Sequence, residues 1–349
     1  MLNTQGFSII PEISKSYLVE RLLEIENISP ITEADEELYE CFFKLECERN
    51  LNENLYIYGN SWAYILQATR YYPFKYHDKC SLISFTVRNG DRTTFEIIRP
   101  LGENVVDQCD WLTKRLSSSF NSNVFLRKLT PNQRKALIKR GFKEIKEWDT
   151  NKLCELPDDV CPQSVCDLKD IVLLKGKRFA KLRLAINRFK KYKCRIACFR
   201  PELKTDAEEA IRRWKEDFVK RYKKTGLELP SENNYYLDPY LVFTSKFAHK
   251  VDSKNYISLI IYVEEQPVGF SFLGKTSETC VALYANICDT QYHGLSEFCA
   301  WQSFINAYEA GFSFVNLGGS ETLSLFKFYQ KFAPIDYVRD YNMVFGKGS

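Results

Sequence analysis

The 349-residue sequence predicts an α/β (α+β) fold of two units, each a mixed sheet flanked by helices. Three observations predict it. The length suits two packed units of about 150 residues each better than one or three. In the first half β-rich runs alternate with segments of helical periodicity, and the second half reads hairpin, strand, helix, strand, helix, strand. Hydrophobic residues make up 45% and charged residues 27% of the chain, the balance of an ordered globular protein, and 15 Gly with 12 Pro are too few for a disordered one.

Ile13 to about Asn50 carries two helical stripes, Leu18, Leu22, Leu23 and Ile25, then Leu38, Phe42, Phe43 and Leu45. The run Ser81 to Val87, the turn Asn89-Gly90-Asp91 and the run Thr93 to Ile98 predict a hairpin. Asp110 to Phe120 reads as a helix, Asn123 to Leu129 as a strand, and Pro131 to Arg140 as a helix with proline in its first turn and Gly141 at its end. Leu153 to Lys169 holds Pro157, Pro162, three cysteines and little periodicity, and is expected to connect the halves. The first unit is therefore placed at 1–165 and the second at 166–349.

The sharpest charge feature follows. Between 174 and 195 lie Lys175, Lys177, Arg178, Lys181, Arg183, Arg188, Lys190, Lys191, Lys193 and Arg195, without one acidic residue. Phe179, Leu182, Ile186 and Phe189 recur at helical spacing, which predicts an amphipathic helix over 174–195 with a docked apolar face and a basic face outward. Like charges three and four residues apart repel, so a polyanion is expected to compensate them: a tRNA acceptor stem, coenzyme A phosphates or anionic headgroups, with Phe179, Phe189 and Tyr192 as stacking platforms. A second helix is predicted from Asp206 to Lys223, closed by Gly226. Beyond it come a hairpin (Tyr256–Val263, the turn Glu264–Pro267, Val268–Leu273), a strand (Thr279–Asp289), a helix (Leu295–Ala310), a strand (Phe312–Leu317) and a helix (Leu323–Phe332) before a final extended segment.

Several classes are excluded or disfavoured. The net charge of +4 is too small for a general nucleic-acid binder, so any such role rests on the local cluster. No apolar run reaches the 18 or more residues of a membrane span, and the first residues lack a charged-then-apolar leader, so a cytoplasmic protein is expected. Twelve cysteines occur without a C-x-x-C pair, and His77, His249 and His293 are dispersed; reduced thiols packing as small hydrophobes are expected, with no metal site.

The order of elements in the second half, with Pro267-Val-Gly-Phe270, the strand to Asp289 and the turn Gln291-Tyr-His-Gly-Leu-Ser296, resembles the GNAT acyltransferase fold. That resemblance implies a glycine turn whose amides, at Gln291, Gly294, Leu295 and Ser296, grip a donor's pyrophosphate at a helix N-terminus. Leu325-Phe-Lys-Phe-Tyr-Gln-Lys-Phe332 is similar to the family's tyrosine-bearing helix, implying that Tyr329 protonates the leaving group with Lys327 beside it. Glu321, Glu297 and His293 are the candidates for the base.

A longer resemblance rests on Asp170 to Phe179, Arg183 to Lys191, Asn316-Leu-Gly-Gly-Ser-Glu321, Ser324-Leu325 and Phe332-Ala-Pro334. These are similar to the tandem-GNAT DUF2156 group, the phosphatidylglycerol lysyltransferase C-terminal type, cousins of the Fem aminoacyl-tRNA-dependent transferases. The resemblance implies a degenerate first unit and a donor held by Arg183, Asn187, Arg188 and Lys331, with no tightly bound cofactor. Two departures stand out: Leu182-Arg-Leu184 keeps only the arginine of the family's K-R-N triplet, and Tyr329 stands where relatives place a lysine. Aminoacyl-tRNA and acyl-coenzyme A both remain as donors, and the acceptor is an amine or hydroxyl on a small molecule, peptide or lipid. A non-catalytic tandem-GNAT protein that binds polyanions is the alternative from another class.

Overall fold

The computed structural model describes residues 15–49, 56–70, 72–89, 93–145, 162–224, 238–250, 254–320 and 323–345. The first half contains α1 (Lys15–Leu23), β1 (Ile28–Pro30), α2 (Glu36–Arg49), α3 (Trp62–Ala68), β2 (Pro73–His77), β3 (Ser81–Asn89), β4 (Thr93–Gly102), α4 (Val105–Phe120), β5 (Val124–Leu129), α5 (Pro131–Ile138) and β6 (Lys143–Glu144). The second contains β7 (Gln163–Asp167), α6 (Leu168–Leu173), α7 (Ala180–Phe189), β8 (Cys194–Cys198), α8 (Lys204–Lys224), α9 (Asp238–Lys246), β9 (Tyr256–Val263), β10 (Gln266–Lys275), β11 (Cys280–Cys288), α10 (Leu295–Glu309), β12 (Phe314–Asn316), α11 (Leu323–Tyr329), β13 (Asp336–Val338) and β14 (Tyr341–Phe345).

The local reasons are legible. Val105, Cys109, Leu112 and Leu116 fall on one buried stripe of α4. Thr130 caps α5, accepting from the Gln133 amide at 3.3 Å while Gln133 Oε1 accepts from the Thr130 amide at 3.0 Å, and Pro131 occupies the first helical position. Between β9 and β10 the turn is two residues, Glu264 and Glu265, both at positive φ, which suits the twist of a tight hairpin. Pro267, expected in that turn, instead sits in β10 at a bulge, where its missing N–H costs no ladder bond.

Two seven-stranded sheets result, in the orders β1-β2-β3-β4-β5-β14-β6 and β13-β7-β12-β11-β10-β9-β8. They repeat one plan. Four strands in antiparallel succession lead through a crossover helix, α4 or α10, to a parallel partner, β5 or β12. In each sheet the next place is filled by a strand from outside the repeat. The last strand of the chain, β14, lies between β5 and β6 in the first sheet, and β7, which follows the first repeat, lies between β12 and β13 in the second. With β7 counted as the closing strand of the first repeat, the two repeats exchange their final strands. A second unit holding everything from 166 to 349 does not describe this, because Tyr341–Phe345 completes the first sheet.

The same exchange corrects the reading of 153–169 as connection only. Residues 163–167 form a strand paired on both sides, invisible to periodicity because Gln163, Ser164, Val165 and Cys166 are buried in succession. The predicted 174–195 helix is also shorter: a 3₁₀ turn at Lys177–Phe179 precedes α7, and Cys194 already pairs with Val263 in β8. One core joins the halves, with Trp62, Ile65, Leu82 and Leu101 of the first packed with Phe243, Phe270, Phe272 and Tyr284 of the second.

Candidate functional site

β11 and β12 pair only at Cys280–Phe314, Val281–Val315 and Ala282–Asn316. β12 ends there while β11 runs on to Cys288, so the parallel pair opens into a gap beside Leu283 to Cys288. The turn after β12 shapes one wall. Asn316 Oδ1 accepts from the Gly318 amide at 2.8 Å, and its Nδ2 donates to Gln163 Oε1 at 2.9 Å and to the Tyr56 carbonyl. Gly318 has φ +83°, and a Cβ there would lie 2.9 Å from the Tyr58 ring. The glycine is thus set by both conformation and contact. Tyr58 itself donates to the Leu283 carbonyl at 3.0 Å. No sequence pattern singled out Tyr58; the only signal was the polar, glycine-bearing Asn316-Leu-Gly-Gly-Ser run that receives it.

The expected pyrophosphate turn is differently engaged. The Gln291 amide donates to Asp289 Oδ1 at 2.9 Å and the Leu295 amide to the Tyr292 carbonyl at 3.1 Å, while the Ser296 carbonyl accepts from Asn286 Nδ2 at 3.1 Å. Two carboxylates, Asp289 and Glu297, are buried at this corner, each with a cation beside it: Arg213 at 3.9 Å from Asp289 and Lys331 at 2.6 Å from Glu297. Gly294 opens α10 at φ +88°, and a Cβ on it would lie 2.1 Å from the Ala185 carbonyl of α7. Close packing of α7 therefore accounts for this glycine, and two of the four amides that the resemblance implies, those of Gln291 and Leu295, are already engaged within the turn. Gly294→Ala is expected to cost about 2 kcal/mol or more, from left-handed strain and displacement of α7 together. A thermal melt checks this; an unchanged midpoint would contradict it.

Tyr329 ends α11, half-buried against the core beside Phe328, with ring centroids 5.8 Å apart. Lys327 is exposed on the same helix. Lys331 does not stand free as a donor ligand: its Nζ lies 2.6 Å from Glu297 Oε1 and 5.3 Å from the Phe328 ring centre. Glu297 sits in the first turn of α10. That pair ties α10 to the segment after α11. His293 is exposed on the turn, and Glu321 lies outside the described residues.

The basic segment divides into spent and unspent cations. Arg183, expected as a donor ligand, directs Nη1 to the carbonyls of Leu174 at 2.5 Å and Gly176 at 2.8 Å, capping the end of α6. Arg178 pairs with Asp170 at 2.5 Å, Lys190 covers Trp301 at 4.8 Å, and Arg195 meets Glu265 at 3.2 Å and the Tyr262 ring at 3.8 Å. Lys175, Lys177, Lys181, Arg188, Lys191 and Lys193 are exposed, and among the described residues none has an acidic partner. On α7, Lys181, Leu184 and Arg188 share one outward face, next to exposed Asn187. Phe179 and Phe189, expected to stack on bases, are core residues; Tyr192 alone of the three is exposed, edge-on to Tyr292 at 5.3 Å.

Among the described residues no cluster of His, Cys, Asp or Glu could hold a metal. Burial pushes the thiols of Cys166, Cys280 and Cys288 up, as expected of packing cysteines. No described helix is long and apolar enough to cross a membrane.

Two repeats, each with a parallel pair reached through a crossover helix, define a tandem GNAT fold. The chain belongs to the family described as phosphatidylglycerol lysyltransferase, C-terminal, whose model matches residues 52–336. Among solved structures it is similar to a conserved protein of unknown function from Bacteroides thetaiotaomicron, at 15% identity and TM-score 0.67 over 91% of this chain and 98% of that one. L-PGS from Bacillus licheniformis matches at 14% identity and TM-score 0.55 over 92% and 94% of the two chains. A tandem GNAT protein from the clavulanic acid biosynthesis pathway matches at 8% identity and TM-score 0.52, over 92% of this chain and 98% of that one. No curated protein matches the sequence at a significant level.

Proposed function

We propose that this chain transfers an aminoacyl group from aminoacyl-tRNA to an amine or hydroxyl acceptor on a small molecule, peptide or lipid, working in the cytoplasm. The observation that carries this reading is the set of exposed cations from Lys175 to Lys193, without an acidic residue among them, on and beside α7, whose other face packs on α10. A surface that concentrates positive charge on a helix and its two flanks suits the regularly spaced phosphates of an RNA stem, and exposed Tyr192 offers a base a stacking face. The small, crowded corner at Asp289, Gly294 and Glu297 supports the same choice, because it is poorly suited to the pyrophosphate of coenzyme A.

In this reading the acceptor attacks the ester carbonyl directly. The new acyl–acceptor bond forms, the ester bond to the terminal ribose breaks, the departing alkoxide takes a proton from Tyr329, and the proton that the acceptor nitrogen or oxygen gives up returns through solvent to the Tyr329 phenolate. Lys327, exposed on α11, lends positive charge to the oxyanion from the solvent side. Glu297, held by Lys331, orders the floor of the site, with Ser296, Asn187 and Arg188 at its rim; the base is assigned to none of Glu297, His293 or Glu321. The test is transfer of labelled amino acids from a charged tRNA pool to an amine- and lipid-containing extract. Wild-type protein is expected to move label, and Tyr329→Phe to lower kcat about 10-fold or more with KM little changed. Tight tRNA binding without any transfer would favour the non-catalytic alternative, and transfer from acetyl-coenzyme A alone would favour the acyl-coenzyme A reading.

A further inference from the structure

We infer that Tyr58, supplied by the first half of the chain, is a specificity-determining residue of the second half's site: it fills the gap between β11 and β12 and shuts out the pantetheine arm of a coenzyme A thioester. This rests on the transferase reading and sharpens its donor class.

A parting strand pair leaves backbone groups of β11 without a neighbour, and an extended ligand that carries amides can pair with them as an added strand would. Pantetheine has that chemistry. The first carbonyl past the last paired residue, Leu283, is already taken by the Tyr58 hydroxyl at 3.0 Å. The ring is held from every side. The Tyr284 hydroxyl donates to the Tyr58 carbonyl at 2.7 Å, the Tyr284 ring stands edge-on at 4.8 Å and the Tyr64 ring at 5.7 Å. Gly318 leaves the space that a side chain would deny it, and Asn316 anchors the preceding strand of backbone at Tyr56. Burial raises the Tyr58 pKa well above the ordinary phenol value, so the hydroxyl remains a donor throughout the physiological range.

The first sheet supplies an internal comparison. There β4 passes its last pairing with β5, Ile98 with Arg127, and the next but one carbonyl, that of Pro100, accepts from Gln133 Nε2 at 3.2 Å. Both gaps are closed by a side-chain donor on a freed carbonyl, but Gln133 belongs to its own repeat whereas Tyr58 crosses from one half to the other. A donor whose bulk stays outside the gap, with only an ester-bearing end reaching Tyr329, does not need the space that the Tyr58 ring takes.

The experiment is calorimetric titration of coenzyme A into the full chain as wild type, Tyr58→Phe and Tyr58→Ala, with tRNA binding measured on the same preparations. Wild type and Tyr58→Phe, which keeps the ring, are expected to show no saturable coenzyme A binding. Tyr58→Ala is expected to bind it at least tenfold more tightly than wild type. Micromolar binding by the wild type, or a folded Tyr58→Ala that gains nothing, overturns the inference. Should Tyr58→Ala fail to fold, hydrogen exchange on the wild type decides: amides of 283–288 unaffected by coenzyme A support the plug, and their protection overturns it. Absence of tRNA binding in the wild type defeats the aminoacyl-tRNA reading by itself, whatever the titrations give.

Discussion

Reversing Lys181, Arg188 and Lys191 to glutamate is expected to weaken tRNA binding by about 100-fold or more at physiological salt, and to flatten the slope of log affinity against log salt by about three. The reasoning is one of unspent charge. These three side chains are exposed and have no acidic partner among the described residues, so the cost of crowding them is relieved by an outside polyanion. Their removal should leave the fold intact, since Leu182, Ile186 and Phe189 dock α7 from its other face. Lys135→Glu with Lys139→Glu, exposed on α5 and at its C-cap, makes a control of the same charge sign at another place. Equal losses from both sets would show only a long-range effect of net charge, and the assignment of the α7 face would fail.

Removal of the last strand is expected to have the largest effect on stability. β14 is hydrogen-bonded on both sides, to β5 through Tyr341–Leu129, Met343–Leu126, Val344–Phe125 and Phe345–Val124, and to β6 through Met343–Glu144 and Val344–Lys143. Its Met343 is fully buried in the first half's core, and Arg134 lies over the Tyr341 ring at 4.9 Å. Truncation before Tyr341 therefore leaves a bare β5 edge and an unfilled core, and the shortened chain is expected to aggregate. Met343→Ala, a milder change, should cost about 2–5 kcal/mol, as large-to-small changes in a close-packed core do. Hydrogen exchange reads the location: protection should fall first in Val124–Leu129, more than two hundred residues away in sequence from the altered site. Loss confined to the second sheet would contradict the strand exchange.

That exchange is also what the sequence concealed. The hairpins, the crossover helices and the long β11 each carry their own period, so local reading places them to within a few residues. Glu264 and Glu265 kept the hairpin recognisable even though neither is a usual left-handed turn residue. Gln163–Asp167 has no alternation because both faces are covered, and nothing in Tyr341–Phe345 says which of two similar sheets it will join. The site divides in the same way. The exposed cations of 175–193 were legible as charge, while Tyr329 and Lys327 rest on motif and remain part of the proposal. Arg183 and Lys331 looked like ligands because sequence does not show the Leu174 and Gly176 carbonyls or Glu297 that engage them. Gly294 looked like a phosphate turn, and its contact with Ala185 is a tertiary fact. Tyr58 was hidden because it reaches its target, Leu283, across 225 residues.

Ultraviolet cross-linking of charged tRNA to the wild-type protein, followed by peptide mapping, tests the central claim most directly. Cross-links concentrated in peptides spanning 175–193, with Tyr192 among the adducted residues, are the predicted result. Cross-links spread over the first half, or none above the level of an unrelated basic protein, would contradict it.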